Sequence, residues 1–200
     1  ALNAQETGRV MVSSDINKGA ARESDLLAFE LAIEKGRPGS VMTGYNRING
    51  EYASQNTYLI NQVLKGDWKY KGWVMSDWGA THSTEKAALA GLDQQSGENL
   101  DPEVFFGEPL KQAVQEGRVP QERLDDMVKR ILRSLFAVGA IDHPAKATSI
   151  DYDAHAQIAR TVAEQGIVLL KNANSQLPLS SKARRIVVIG SHADVGVLSG

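Results

Sequence analysis

Cysteine is absent from the 200-residue sequence, which excludes disulfide bonds and thiol catalysis. No apolar run approaches the roughly 20 residues that a membrane-spanning helix needs, so we expect no membrane span. Basic runs are also missing: 22 Lys and Arg against 24 Asp and Glu give a formal charge of −2. We therefore expect no nucleic-acid partner. The four histidines are scattered along the chain, and the pattern calls for no metal and no other cofactor.

The composition that remains is ordinary for a soluble globular protein, with 42% hydrophobic and 23% charged residues. The chain is long enough to bury a sizeable core. It begins with Ala1 in "ALNAQETGRV", which has none of the features of a signal peptide. It ends in "VVIGSHADVGVLSG", a predicted strand and a glycine-containing loop. We expect a fragment of a longer protein.

The first half of the chain alternates helical and strand patterns. Helices are predicted over residues 21–40, 57–68 and 83–92, the last with Ser83 as its cap, and strands over 40–46 and 73–76. This alternation predicts an α/β fold with a parallel sheet.

Residues 109–139 are predicted to form two helices separated at Gly117 and Pro120. Helical spacing in the second predicts one buried face, made by Leu124, Met127, Val128, Ile131, Leu132 and Leu135. We assign residues 1–138 to a first domain, 139–153 to a linker and 154–200 to the start of a second α/β domain. In that second part we predict a helix at about 155–164, and strands in the apolar runs "GIVLL" and "RIVVIG".

The stretch "GWVMSDWGATHS" places an acid, Asp77, directly after a short apolar strand. A carboxylate there needs a partner or a function, because desolvating it is costly. Functional residues of parallel α/β folds gather where strands end, and Tyr45 lies at the end of the preceding predicted strand. A structural role, as a loop cap or an arginine partner, stays open for Asp77. So does a metal site shared with His82, although it is the less favoured reading. Trp78 suits either a sugar ring or the core.

Five segments in order give the chain a wider resemblance. "GWVMSDWGATHS" resembles the nucleophile segment of glycoside hydrolase family 3, which contains many β-glucosidases. The other segments that resemble this family are "ALNAQETGR", "SVMTGYNRINGEYASQN", "AALAGLDQQSGENLD" and "TVAEQGIVLLKNANSQLPL". The resemblance implies the later part of a (β/α)₈ TIM-like barrel followed by the start of an α/β/α sandwich domain.

The resemblance implies a role for several residues. Asp77 is the expected catalytic nucleophile of a retaining glycosidase. Arg9 is expected to bind sugar hydroxyls, Tyr45 to orient Asp77, and Trp78 to pack on the substrate. Met42 lines either the same pocket or the core. The acid/base residue is expected downstream of residue 200, so neither Glu98 nor Asp101 is assigned that role.

The expected activity is an exo-acting β-glucosidase on β-glucosides or short β-glucans, inactive as this fragment alone. A β-xylosidase, an N-acetylglucosaminidase, a metal-dependent barrel hydrolase and a catalytically dead carbohydrate-binding or structural protein are the alternatives. The sequence "SDWGA" argues against the N-acetylglucosaminidase, and "DQQSG", which replaces a commoner apolar stretch, leaves the sugar preference open. By resemblance to bacterial members, the protein is expected to be periplasmic or secreted, and the intact protein a possible homodimer.

Overall fold

A computed structural model describes residues 1–97, 101 and 103–196 of the chain. It divides into two compact units, Ala1–Lys146 and Ala147–Gly200. The division falls inside the segment predicted as a linker. The domain assignment itself stays a prediction, and each unit is described separately.

Short strands, most of them paired in parallel, and helices make up the first unit, which is an α/β fold as the sequence predicts. Its strands are β1 (Ser13–Ser14), β2 (Ser40–Thr43), β3 (Arg47–Ile48), β4 (Glu51–Tyr52) and β5 (Trp73–Ser76). Its helices are α1 (Lys18–Glu23), α2 (Asp25–Gly36), a π-helix (Tyr58–Asp67), α3 (Glu85–Ala90), α4 (Glu108–Gln115) and α5 (Gln121–Ala137), with a 3₁₀ turn at Ala53–Gln55.

Strands β2 and β5 pair in parallel, with Val41 opposite Val74 and Met42 opposite Met75. A further parallel bridge joins Met75 to Gln94, so the chain after α3 continues the same sheet. The other small sheet has the order β1-β3-β4. Its β3–β4 hairpin turns at Asn49 and Gly50, whose φ angles of 51° and 85° fit the Asn-Gly turn of the sequence.

The two faces of the main sheet have different surroundings because side chains alternate along a strand. Val74 lies in the core with helical residues such as Ile60, Leu64 and Ala87, and Val41 packs against the same cluster. Met42 and Met75 point to the opposite face. Asp77 is two residues beyond Met75, so it continues that second face.

Three predicted helices differ in detail from those observed. The segment predicted at 21–40 is broken at Ser24, whose hydroxyl donates to the carbonyl of Ala20 at 2.7 Å, a local bond that competes with helix continuation. The helix at 57–68 is a π-helix, with Trp68 N–H donating to Val63 O at 3.0 Å. The third begins at Glu85, and Ser83 does not cap it: its hydroxyl donates to Gln55 Oε1 at 2.8 Å.

Helix α5 matches its predicted limits, but its apolar face is only partly buried. Met127 is buried, whereas Val128 and Leu132 are 47% and 42% exposed. The prediction that all six apolar residues are buried is therefore wrong. Val128 borders a cavity of about 210 Å³ between α5 and the segment 93–106, so the described residues do not fill the space beside it.

The second unit contains helix α6 (Tyr152–Gly166) and a 3₁₀ turn at Ala173–Ser175. The strands predicted in residues 166–170 and 185–190 are not formed. Leu170 and Ile189 are 92% and 90% exposed. A strand needs a neighbour to accept its backbone hydrogen bonds, and residues 147–196 supply none for these two runs. Within the described part of the chain, no helix has the length and apolar character to cross a membrane.

Candidate active site

Asp77 lies at the carboxyl end of β5, where the strand passes into a tight turn. Its backbone N–H donates to Thr43 O at 3.2 Å, which ties it to the end of β2. Its carboxylate accepts the N–H of Trp78 at 2.7 Å, and its carbonyl accepts the N–H of Ala80 at 3.1 Å. The side chain is partly exposed. The carboxylate is therefore oriented by the backbone while it stays accessible.

Tyr45 lies beside this carboxylate, and Arg9 contacts the ring of Tyr45. Burial, and next the hydrogen bond with the Asp77 carboxylate, raises the pKa of the Tyr45 hydroxyl, so the phenol stays protonated at neutral pH. The guanidinium carbon of Arg9 lies 4.5 Å from the centre of the Tyr45 ring, a cation–π contact. Arg9 also pairs with Glu6 at 3.0 Å. The structure thus brings Asp77, Tyr45 and Arg9 together.

Trp78 presents most of its ring to solvent, with 61% exposure. It rests on the backbone of Gly97, where a Cβ would lie 2.6 Å from Trp78 Cδ1. Gly97 also has a φ of +78°, which side-chain-bearing residues rarely adopt. The interpretation of Trp78 as a core residue is therefore wrong: it is an open aromatic face beside Asp77.

Met42 is also exposed, at 56%, and does not belong to the core. It and Asp77 both line a cavity of about 430 Å³ between β2 and α2. Tyr45, Arg9 and Trp78 do not line this cavity. Met42 is therefore near the nucleophile candidate.

Two residues that the sequence reasoning left without a role, Gln95 and Asp101, hold the neighbouring loop. Asp101 Oδ1 accepts the N–H of Gly79, and Asp101 Oδ2 accepts from Gln95 Nε2 at 2.5 Å. The polar run "DQQSG" was the available signal, because polar side chains after a strand need partners. Glu98 lies outside the described residues.

The ring of His82 packs against an aromatic neighbour. Its ring stacks on Tyr52 with centroids 3.7 Å apart. Burial and then the nearby Arg47 charge lower the pKa of His82, which favours the neutral ring. In residues 1–97, 101 and 103–196 there is no group of three or more His, Cys, Asp or Glu that could hold a metal ion.

The arrangement defines the chemistry that is possible here. A carboxylate held by a backbone N–H and a phenol can act as a nucleophile or base, and an adjacent guanidinium can bind hydroxyl groups. An open tryptophan face can pack on an apolar ring face. This is a strand-end carboxylate site of an α/β protein, suited to a ligand rich in hydroxyls.

Comparison with known families agrees with this class of site. The profile described as "Glycosyl hydrolase family 3 N terminal domain" matches residues 3–134. The chain therefore belongs to glycosyl hydrolase family 3.

Among its relatives, the chain is 41% identical to "Probable beta-glucosidase L" of Emericella nidulans, covering 97% of this chain and 28% of that protein. It is 37% identical to "Thermostable beta-glucosidase B" of Acetivibrio thermocellus, covering 96% and 24%. The solved structure of β-glucosidase 3B from Thermotoga neapolitana in complex with glucose matches with a TM-score of 0.74 and 35% identity, covering 89% and 25%. The chain thus spans about a quarter of the length of these relatives.

Proposed function

We propose that the complete protein is a retaining, exo-acting β-glucosidase that releases glucose from the non-reducing end of β-glucosides or short β-glucans. The observation that carries the proposal is Asp77 itself, which is fixed at a strand end beside Tyr45 and remains partly exposed. The names of the relatives support the β-glucoside as substrate. The protein expressed from its complete reading frame is called the complete protein below.

In the proposed first step, the Asp77 carboxylate attacks the anomeric carbon, and the bond to the leaving oxygen breaks. A second carboxyl group, about 5–5.5 Å away, gives its proton to that oxygen. Water then releases the sugar from Asp77, and the second group takes up the proton of the water. From the resemblance to the family, we infer that this acid/base residue lies downstream of residue 200. Asp101 is not assigned the role, and its carboxylate accepts from Gly79 and Gln95.

The other residues support this chemistry without forming bonds to the sugar carbon. Tyr45, with its raised pKa, stays a donor that orients Asp77. Arg9 offers the rest of its fork of donors to sugar hydroxyls, and the free face of Trp78 packs on the substrate. Met42 forms the wall of the pocket on the cavity side.

We also infer the larger architecture from the family. Strands β2 and β5 and the segment at Gln94 form neighbouring parallel strands, as the later part of a (β/α)₈ barrel requires. Residues 154–200 are proposed to open the sandwich domain. A periplasmic or secreted location and a homodimer remain predictions from the resemblance.

The test is the complete protein with Asp77→Ala, assayed on p-nitrophenyl β-glucoside with and without azide. We expect almost no turnover in water and recovery with azide as α-glucosyl azide, because azide replaces the missing nucleophile. Substantial activity of the variant in water would reject Asp77 as the nucleophile. The 200-residue chain alone should be inactive on the same substrate.

A further inference from the structure

A chain of hydrogen bonds runs from Gln95 to the residue after Trp78. The amide of Gln95 uses its full bonding capacity within the protein. Its Nε2 donates to Asp101 Oδ2 at 2.5 Å and to Glu103 O at 2.9 Å. Its Oε1 accepts the N–H groups of Phe105 at 2.7 Å and Phe106 at 3.0 Å. Gln95 therefore fastens the loop that follows it at several points.

Asp101 extends this series of hydrogen bonds towards the candidate active site. Its Oδ1 accepts the N–H of Gly79, the residue directly after Trp78. Its own backbone N–H donates to Gly97 O at 2.9 Å. Gly97 is the residue on which the Trp78 ring rests, with no room for a Cβ between them. One residue, Asp101, therefore holds both the chain next to Trp78 and the backbone beneath its ring.

We propose that Gln95 is a positioning residue that, through Asp101, fixes the ring of Trp78 and so sets the enzyme's preference for its leaving group. We call the hydrogen-bonded series Gln95–Asp101–Gly79 the loop strut. Without Gln95, Asp101 loses its side-chain donor, and its contacts with Gly79 and Gly97 beside the tryptophan are weakened. The part of the proposal that concerns the leaving group rests on the proposed function; the part that concerns the ring of Trp78 does not.

The chemical nature of the leaving group determines whether a change in the position of Trp78 alters the kinetics. A planar aryl group stacks on a tryptophan held in one orientation, and such contacts contribute about 0.5–1.5 kcal/mol beyond their area, or roughly two- to tenfold in binding. A methyl group has no face to stack. Loosening Trp78 should therefore weaken aryl glucosides selectively and act mainly on KM.

The kinetic test uses the complete protein with p-nitrophenyl and methyl β-glucoside. We expect Gln95→Ala to lower kcat/KM for the aryl substrate by roughly two- to tenfold, with little change for the methyl one. In a Trp78→Ala background, Gln95→Ala should have no further effect. Equal losses on both substrates, or a full effect in the Trp78→Ala background, would overturn the proposal.

The chain offers a matched control and a second variant of the strut. Gln94 is the adjacent glutamine, is also partly buried, and uses its Oε1 to accept from Trp73 Nε1 at 2.9 Å instead of joining the strut. Gln94→Ala should leave the aryl-to-methyl ratio unchanged. Asp101→Ala removes the link between Gln95 and Gly79, so it should lower the ratio as Gln95→Ala does. An unchanged ratio in Asp101→Ala would count against the strut.

A measurement without substrate separates this proposal from the proposed function. In protein labelled with 5-fluorotryptophan, the fluorine resonance of Trp78 is identified by its loss in Trp78→Phe. We expect this resonance to shift or broaden in Gln95→Ala and to stay in place in Gln94→Ala. An unmoved resonance in Gln95→Ala overturns the strut even if the enzyme is active. If the wild type hydrolyses no β-glucoside, the proposed function fails, while the resonance still decides the strut.

Discussion

Asp77 follows β5, and Asp93 directly precedes Gln94, which bridges to β5, yet the surroundings of the two acids differ. The side chain of Asp93 is fully buried and is paired with Lys65 at 2.7 Å and Arg123 at 2.6 Å. It also accepts the N–H of Val74 at 2.8 Å. Asp77 is partly exposed, accepts the N–H of Trp78 and lies beside the Tyr45 phenol. In the part of the chain that the structure describes, Asp77 has no cation within ion-pair distance.

The difference in partners and burial distinguishes a structural acid, Asp93, from the proposed nucleophile, Asp77. Buried carboxylates need full compensation, and Asp93 has it from two cations and a backbone N–H. A nucleophile needs an accessible oxygen and a fixed orientation, which neutral donors provide without neutralising its charge. The two residue types are identical, so the partners alone distinguish their roles.

The largest expected effect is at Asp77, where a substitution should remove activity and leave stability almost unchanged. Asp77→Asn should lower kcat/KM of the complete protein by about 10⁴-fold or more, as loss of a nucleophile does. Its free energy of unfolding should change by less than about 0.5 kcal/mol, because the site is partly exposed. Kinetics and urea denaturation of the same preparation measure both. A large loss of stability would assign Asp77 a structural role.

Asp93→Asn should give the opposite result. It leaves Lys65 and Arg123 without their buried anion, and we expect about 3–5 kcal/mol of destabilisation. The matched control is Asp67→Asn, which removes a partner of Arg22 at a more exposed position. That change should cost no more than about 1 kcal/mol. Similar losses for the two variants, measured by denaturation, would contradict the importance of burial.

Sequence patterns predict the elements around both aspartates well where the signal is local. Strand β5 is confirmed over its full predicted length, and Gly117 and Pro120 separate α4 from α5 as expected. Local signals gave wrong predictions where residues distant in the sequence determine the hydrogen bonding. Ser83 has the sequence of a cap but bonds Gln55, a residue 28 positions away.

The same limit applies to the site and to the second unit. Asp77 and Tyr45 lie together as the strand-end argument predicts, and Arg9, which was expected only from the family resemblance, contacts Tyr45. The roles of all three stay predictions. Gln95 and Asp101 were assigned no role from the sequence, because their importance depends on which backbone groups the loop brings to them. The run at residues 185–190 has strong strand propensity, yet propensity gives no strand without a neighbour to pair with.

A third prediction concerns the charge balance around Asp93. Three cations, Lys65, Arg123 and Arg130, surround Asp93 and Asp126. Burial, opposed by Asp93 and assisted by Arg123, lowers the pKa of Lys65 to about 8. The cationic form is thus less favoured in the folded state than in the unfolded chain. In Lys65→Met, the free energy of unfolding at pH 7 should therefore change by only about 1–2 kcal/mol, because Arg123 remains paired with Asp93.

The pH dependence gives the sign of the Lys65 effect. Between pH of about 8 and the ordinary lysine value of 10.5, the unfolded chain binds more protons at this site than the folded one. Lys65 therefore adds a rise of at most about 1.4 kcal/mol per pH unit to the free energy of unfolding in that window. The difference between wild type and Lys65→Met, measured by urea denaturation across the window, should show this rise. A flat difference would contradict the lowered pKa.

The smallest expected effect concerns Tyr45, the neighbour of Asp77. Tyr45→Phe removes the phenol that we propose orients the carboxylate but keeps the ring beneath Arg9. One hydrogen bond contributes about 0.5–1.5 kcal/mol, so we expect kcat to fall by roughly two- to tenfold. Because the Tyr45 pKa is raised, the phenol stays protonated, and the ratio of wild-type to variant kcat should be constant from pH 5 to about 9. Tyr52→Phe, whose phenol accepts from Arg47 at 2.9 Å, is the matched control and should leave kcat unchanged. A ratio that varies within this pH range would mean that Tyr45 transfers a proton and does more than orient Asp77.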